Sequence, residues 1–219
     1  MKKRGFLLAA CTVGVMLSGC GSRETAFSPS ESCVYVAKDG ALSSALVEQT
    51  GGISVDENEL KQYLETAVIH FNEEKGAGAL AQNQKNAERL PAALKSVKAG
   101  KDTVTAIFDY ASFEDLKAFG ETNDNEDTSN SLTALEAKPL SEAIADGWFS
   151  EGELVKADGS EAGTDTVQNE KSGMAVRSEG GATLMVGGKM LYRSSNTELK
   201  DDSTVSLPET GTAYVIFKR

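Results

Sequence analysis

The sequence predicts an α+β domain with mainly antiparallel sheets, one long amphipathic helix and several short helices. Short β-prone runs occur in pairs around turns that contain glycine. One long segment has apolar residues at helical spacing, and no β-α unit repeats as a parallel sheet would require. The predicted domain covers residues 33–219, and a subdivision near residue 130 is left open.

The first predicted strands are Cys33–Ala37 and Ala41–Glu48, which flank the turn residues 38–40 (KDG). An Asp-Gly pair between two β-prone runs is typical of a hairpin, because both turn positions favour positive φ. Cys33 opens an alternating run, so we interpret it as a half-buried strand residue rather than a nucleophile.

The long helix is predicted over Ser54–Lys75. Its first turn contains two capping boxes, Ser54 with Glu57 and Asp56 with Glu59, and either one can start the helix. The apolar positions follow the i, i+3, i+4 pattern of a single buried stripe. These positions are Leu60, Tyr63, Leu64, Ala67, Val68 and Phe71.

A second hairpin and two short helices follow in the sequence. Leu94–Lys98 and Thr103–Tyr110 flank a Gly-containing turn and predict the hairpin. Ser112 caps a short helix over Phe113–Phe119, and Pro at the first turn opens another over Pro139–Asp146. Between these helices, residues 121–130 contain no apolar side chain and predict a loop.

The C-terminal part is predicted to be rich in β-structure. Residues 151–172 are acidic and predict a loop with one weak strand at Leu154–Ala157. Ala182–Val186 and Lys189–Arg193 are joined by a Gly-Gly pair, which predicts a two-residue hairpin. Thr204–Leu207 and Thr212–Lys218 are the last two predicted strands.

Residues 207–211 (LPETG) match the sorting motif of wall-anchored surface proteins, in which a membrane-spanning stretch follows the motif. Here only Thr212–Phe217 separates the motif from two basic residues. A strand of that length extends to about 20 Å, against a hydrocarbon core of about 30 Å. We therefore predict a turn that leads into a strand of the sheet.

The N-terminus has the pattern of a secretory signal. Basic residues 2–4 precede the apolar run Gly5–Leu17, which is too short to span a bilayer. Leu17, Ser18, Gly19 and Cys20 then resemble the lipobox of bacterial lipoproteins.

This resemblance implies that residues 17–19 are recognised by a signal peptidase, that residues 1–19 are removed, and that Cys20 becomes the lipid attachment site. Residues 20–32 then form the lipidated cysteine and a flexible tether. The implied location is the extracytoplasmic face of the cell membrane, with the membrane as a partner through the lipid. After removal of Cys11 and acylation of Cys20, Cys33 has no disulfide partner.

Charge excludes one class of partner. The formal net charge is −11, and it becomes −14 once the three basic residues of the signal are removed. Binding to nucleic acid depends on clusters of Lys and Arg, and the sequence after residue 19 shows no basic patch. We therefore expect no nucleic-acid partner.

Other motifs favour structural readings. His70 is the single histidine and lies at the edge of the helix stripe, so a histidine triad or a multi-histidine metal site is disfavoured. Residues 76–81 imitate a dinucleotide-binding motif but follow a helix instead of a strand. We interpret Trp148 with Phe149 as a core plug, that is, as aromatic side chains that fill the hydrophobic core, rather than as an exposed surface that binds a sugar or peptide.

Two acidic loops, residues 124–127 and 158–165, carry oxygen ligands suited to calcium but lack the EF-hand pattern. We interpret them as solvated loops and expect no metal and no cofactor.

The function predicted from the sequence is a lipid-anchored binding, sensing or envelope-assembly module without catalysis, in which an envelope protein can be a second partner. The arrangement looks like small uncharacterised lipoproteins of gut Gram-positive bacteria, through Cys20, the helix Glu59–Glu74 and the strand Ala213–Phe217. Two alternatives remain open. One is a solute-binding lipoprotein of a transporter, and the other is a surface hydrolase that uses carboxylates.

Overall fold

The structure is a computed structural model, and it describes residues 27–122, 131–149, 154–162, 164–170 and 172–219. In this part of the chain the helices are α1 (Glu57–Glu74), α2 (Phe113–Thr122), α3 (Leu140–Ala145) and α4 (Thr164–Gln168). The strands are β1 (Cys33–Val36), β2 (Leu42–Gln49), β3 (Ala92–Ala99), β4 (Thr103–Tyr110), β5 (Ala134–Pro139), β6 (Leu154–Lys156), β7 (Met174–Glu179), β8 (Ala182–Val186), β9 (Met190–Ser194), β10 (Glu198–Asp201), β11 (Thr204–Leu207) and β12 (Thr212–Phe217).

The strands form two sheets. The first sheet has seven strands in the order β10-β11-β8-β1-β2-β4-β3, and the second has five in the order β5-β7-β12-β9-β6. All described strand pairs are antiparallel except β1 with β8. The prediction of an α+β fold with mainly antiparallel sheets is therefore confirmed. Residue 130 is the position near which a subdivision of the domain was left open, and the first sheet contains strands from both sides of it.

Local signals correctly predicted both N-terminal hairpins. β1 pairs with β2 around a turn in which Gly40 has a φ of +84°, and β3 pairs with β4. The start of α1 also depends on residues that are close in the sequence. Asp56 caps α1 by accepting hydrogen bonds from the N–H groups of Asn58 and Glu59 at 2.8 and 3.0 Å.

The predicted hairpin around Gly187 and Gly188 is wrong. β8 lies in the first sheet beside β1 and β11, whereas β9 lies in the second sheet beside β12 and β6. The two glycines form a crossover between the sheets. A Cβ at Gly187 would lie 2.9 Å from the Lys38 nitrogen, so the crossover depends on a close approach of backbones.

The LPETG segment also connects the two sheets. It links β11 of the first sheet to β12, which is the central strand of the second sheet. Gly211 has a φ of +85° at the end of this connection. The prediction of a turn followed by a sheet strand is confirmed.

The expected single buried stripe along one long amphipathic helix is not observed. α1 has 18 residues, but among its apolar positions only Val68 and Phe71 are buried. Leu64 is partly buried, and Tyr63 is 69% exposed. The C-terminal half of α1 therefore packs into the core, whereas its N-terminal half leaves apolar side chains accessible.

A buried amide ties α1 to the first sheet. Asn72 is fully buried, and its Nδ2 donates to the carbonyl oxygens of Leu80 and Ala92 at 2.7 and 2.8 Å. Its Oδ1 accepts from the Ala92 N–H at 3.0 Å. These bonds join the helix to β3, the edge strand of that sheet, and to the segment that precedes it.

The two sheets and the helices form packed layers. One face of the first sheet packs partly against the second sheet and partly against α1 and α2, in one hydrophobic core. The opposite face of the second sheet packs against α3 and α4 in a smaller core. Trp148 is buried in this smaller core, which confirms its interpretation as a core plug.

Residues 27–32 lie against the first sheet, although we expected them to belong to a flexible tether. The Phe27 ring stacks on Tyr35 with 4.3 Å between centroids. The Ser32 hydroxyl accepts from the Val47 N–H at 2.9 Å, and Glu31 forms an ion pair with Lys200 at 2.6 Å. Packing on the sheet therefore begins no later than Phe27.

Candidate functional site

A cavity of about 570 Å³ lies between α1, α2 and the first sheet. Its volume falls within the range of about 300–1,000 Å³ that is typical of small-molecule sites. The accessible half of α1 forms one wall through Leu60, Tyr63 and Leu64. Three apolar side chains in the N-terminal half of α1 that are not fully buried thus line the cavity.

The interior of the cavity is mainly apolar. β1, β2 and β4 supply its floor, α2 supplies a second wall, and residues 131–133 close one side. Several side chains of the lining are already buried in the free chain. They present apolar surface to a ligand in the cavity. They include Val34, Phe108, Leu116, Phe119 and Leu132.

Two hydroxyl groups meet in the lining of this apolar interior. Ser44 on β2 pairs with Phe108 on β4, so Tyr110 is the diagonal neighbour of Ser44 on the same sheet face. Ser44 Oγ and Tyr110 Oη are hydrogen-bonded at 3.0 Å. One of the two hydroxyls donates in this bond, so the proton of the other stays available for a ligand.

The hydroxyl pair is uncharged. Burial raises the pKa of Tyr110 well above its usual value, although the hydrogen bond with Ser44 acts in the opposite direction. Tyr110 is therefore a neutral phenol at physiological pH. It can donate or accept a hydrogen bond but cannot balance the charge of an ionic ligand.

The rim of the cavity is polar and exposed. Lys117 and Glu121, one turn apart on α2, are the charged residues among those described in the lining. Ser131 and Thr133 lie on the rim too, and both are exposed. The rim charges have opposite signs, so the entrance presents no net charge to an approaching ligand.

The lipobox residues Leu17, Ser18, Gly19 and Cys20 lie outside the described residues. Cys33 lies in β1 and is buried, and burial raises the pKa of its thiol to about 12. Because the thiolate is the reactive form, this cysteine is unreactive at neutral pH. That finding agrees with the interpretation of Cys33 as a structural strand residue.

His70 is exposed on α1, and its Nδ1 lies 3.6 Å from Glu74 Oε1. Of the acidic loops, residues 124–127 lie outside the described residues. Asp158 in the other loop accepts hydrogen bonds from the Ser160 hydroxyl and N–H at 2.7 and 2.9 Å. Within the described ranges no group of three or more His, Cys, Asp or Glu side chains is placed to hold a metal.

The sequence did not indicate the cavity, although one signal was present. Ser44 is a polar residue within a β-prone run, at a position whose neighbours on the same strand face are Leu42 and Leu46. Tyr110 alternates along its strand with Ala106 and Phe108, which places the three on one face, and all three are buried. Their alternation predicted an inward face but did not reveal that α1 leaves part of it uncovered.

Comparisons of the chain with protein-family models, with curated proteins and with solved structures gave no significant match. Among the helices that the structure describes, none is both long enough and apolar enough to span a membrane.

Proposed function

We propose that this chain is a lipid-anchored protein of the extracytoplasmic membrane face whose domain binds a small apolar molecule without transforming it. The observation that carries the binding proposal is the cavity of about 570 Å³ between α1, α2 and the first sheet. Transfer of apolar ligand surface from water into such an interior gains about 25 cal/mol per Å². The polar rim keeps the entrance hydrated, as is usual for a ligand site.

The N-terminal half of α1 forms one wall of the proposed binding site. Leu60, Tyr63 and Leu64 occupy helical positions that would normally be buried, and they line the cavity instead. We infer that α1 is amphipathic along its whole length, with its apolar face shared between the core and a ligand. This explains why Tyr63 remains 69% exposed in the free chain.

The lipid anchor is proposed from the lipobox. The packed position of Phe27 limits how far the domain can lie from that anchor. If Cys20 carries the lipid, only residues 21–26 separate it from the stacked Phe27 ring. Six extended residues span at most about 20 Å. The domain would then stay close to the bilayer, where apolar ligands are concentrated.

The two alternatives predict other arrangements. A hydrolase of the carboxylate type needs two acids about 5–10 Å apart in its cleft, and among the described lining residues the one carboxylate is Glu121. A solute-binding lipoprotein of a transporter commonly holds its solute between two α/β lobes, whereas this cavity lies between a helix pair and one sheet.

Mass analysis of the N-terminal peptide from membranes tests the anchor. We expect the peptide to begin at Cys20 and to carry the mass of attached acyl chains, and the Cys20→Ser variant to leave the membrane fraction. An unmodified Cys20, or a cut elsewhere, would overturn this part of the proposal.

Photolabelling tests the binding proposal. The full chain in phospholipid nanodiscs is irradiated with a decyl alcohol that carries an alkyl diazirine, and the labelled peptides are mapped by mass spectrometry. We expect labels on peptides from α1, α2 and β2. Leu46→Trp should fill the cavity from β2 and lower this labelling at least about fivefold.

Val47→Trp is the matched control. Val47 is the next residue on β2, is also partly exposed, and packs on the opposite face of the sheet with Cys33, Ala45 and Ile107. It should keep labelling within about twofold of the unmodified chain. Leu60→Trp, from the α1 wall, is a second filling variant in case Leu46→Trp fails to fold. Equal labelling of the filled and control variants would contradict the proposal.

A further inference from the structure

We infer that the cavity selects an uncharged amphiphile, a linear aliphatic chain that ends in one hydrogen-bonding oxygen, and holds that oxygen at the Ser44–Tyr110 hydroxyl pair. This inference rests on the proposed binding function and names its ligand class. It follows from the position of the two hydroxyls, from the charges of the lining, and from the shape of the apolar walls.

The hydroxyl pair supplies the specific contact. Tyr110 is 3% exposed, and its Oη is hydrogen-bonded to Ser44 Oγ at 3.0 Å. Both residues belong to the mainly apolar lining of the cavity. A ligand oxygen placed at the pair accepts the remaining hydroxyl proton. A ligand that lacks such an oxygen leaves this proton without a partner once water is excluded, and that costs affinity.

The lining disfavours an ionised ligand. A carboxylate or phosphate inside the cavity would lose its hydration, and the described interior residues provide no cation to replace it. Lys117 is exposed on the rim, and Glu121 lies one helical turn away. The positive charge at the entrance is thus offset by a negative one, so an anionic headgroup gains little there.

The apolar walls fit an aliphatic chain. Leucine side chains from three elements line the space, contributed by β2, α1 and α2. Leu46, Leu60 and Leu64 are partly exposed, so each can bury further surface against a ligand. Each methylene group buried there raises the affinity by a factor of about four.

Paired photoprobes test the ligand class. The full chain in nanodiscs is titrated with the diazirine-bearing decyl alcohol and with the matched carboxylic acid of equal chain length. Each half-saturating amount is expressed as a mole fraction of the lipid, which allows for the different partitioning of the two probes. At pH 7.5 we expect the alcohol to half-saturate the cavity peptides at a mole fraction at least about tenfold lower than the acid does.

Two variants assign this selectivity to the hydroxyl pair. Tyr110→Phe should raise the half-saturating mole fraction of the alcohol about three- to tenfold, the range for one neutral hydrogen bond, and Ser44→Ala should act in the same direction. The control Tyr192→Phe removes a phenol that is also buried, at 8% exposure, but lies in the core beneath α3 and α4. It should change the value less than twofold.

The outcomes separate this inference from the proposed function. If neither probe labels the cavity peptides, or if Leu46→Trp has no effect on labelling, binding itself is refuted. If both probes label the cavity but the acid equals or exceeds the alcohol, binding stands and the ligand class is wrong. The ligand class is also overturned if Tyr110→Phe behaves like Tyr192→Phe while thermal unfolding shows that both variants are folded.

Discussion

Gly188 lies directly against the backbone carbonyl oxygen of Lys218, at the point where the chain leaves the first sheet for the second. A Cβ at position 188 would collide with that oxygen and would also lie 3.3 Å from Cδ2 of Phe217. The Lys218 N–H donates to the Lys189 carbonyl at 2.9 Å, which holds the two segments together. The absence of a side chain at Gly188 thus permits the crossover between the sheets.

Gly188→Ala should lower the free energy of unfolding by about 2–3 kcal/mol, because backbone must move to accommodate the methyl group. Urea unfolding of the purified chain measures the change. Gly120→Ala on α2 is the matched control, since a Cβ there has no atom within 4 Å. Within a helix it should raise stability by about 0.5–1 kcal/mol. Equal effects of the two substitutions would contradict the close approach at Gly188.

Asn72→Leu should lower the free energy of unfolding by about 2–4 kcal/mol. The variant keeps a side chain of similar size but leaves the Ala92 N–H and two carbonyl oxygens without their hydrogen bonds. Thermal or urea unfolding tests this, with Gln62→Ala on the exposed side of the same helix as the control. The control should stay within about 0.5 kcal/mol of the unmodified chain. A loss below about 1 kcal/mol for Asn72→Leu would show that the buried amide matters little.

Cys33 should react slowly with iodoacetamide in the folded chain. Its pKa is raised to about 12 from an ordinary value of 9.0, chiefly by burial. At pH 8 the thiolate fraction is then lower by about a hundredfold or more than in the chain unfolded in urea. Mass spectrometry of the Cys33 peptide measures both rates. Similar rates in the two states would mean that the thiol is not buried.

The same shift predicts a loss of stability in alkali. The folded state holds the thiol proton more tightly than the unfolded state, so the contribution of Cys33 is complete below about pH 9. It is lost as the pH rises from about 9 towards 12. Cys33→Ala should therefore unfold with a shallower dependence on pH across this window. An unchanged slope would count against a raised pKa.

Phe27→Ala should loosen the segment that leads into the first sheet. The substitution removes the ring stacked on Tyr35, a contact worth about 1 kcal/mol. The Val47 N–H, which donates to Ser32 Oγ at 2.9 Å, reports on this segment. Its hydrogen exchange should become about fivefold faster. Phe149→Ala, which removes an aromatic ring packed against the core beneath α3 and α4, should leave exchange at Val47 unchanged.

Patterns in the sequence predicted most elements whose causes are local. The turn glycine at position 40, the cap of α1 at Asp56 and the start of α3 after Pro139 each depend on residues a few positions away. Elements without such signals were missed. β5, β7 and β10 lie in segments where we named no strand, and α4 lies in a segment predicted as loop.

The partner of each strand was harder to predict from the sequence than the strand itself. A Gly-Gly pair between two β-prone runs indicates a hairpin from local evidence, yet β8 and β9 belong to different sheets. The parallel pairing of β1 with β8 joins Val34 to Leu184 across most of the chain. No local pattern encodes such a partner, because it depends on how both sheets fill one core.

By itself, the sequence determined the turn at Gly40, the start of α1 at Asp56 and the alternation of buried residues in several strands, and it leads us to expect no nucleic-acid partner. These properties follow from backbone preferences, from the spacing of neighbouring side chains and from total charge. Only the tertiary structure decided which sheet each strand joins, and that Val68 and Phe71 of α1 are buried in the core whereas Leu60 and Tyr63 line a cavity. Burial of a side chain depends on the elements packed around it, and those come from distant parts of the chain. For that reason the Ser44–Tyr110 pair could be found only once β2, β4, α1 and α2 had been placed together.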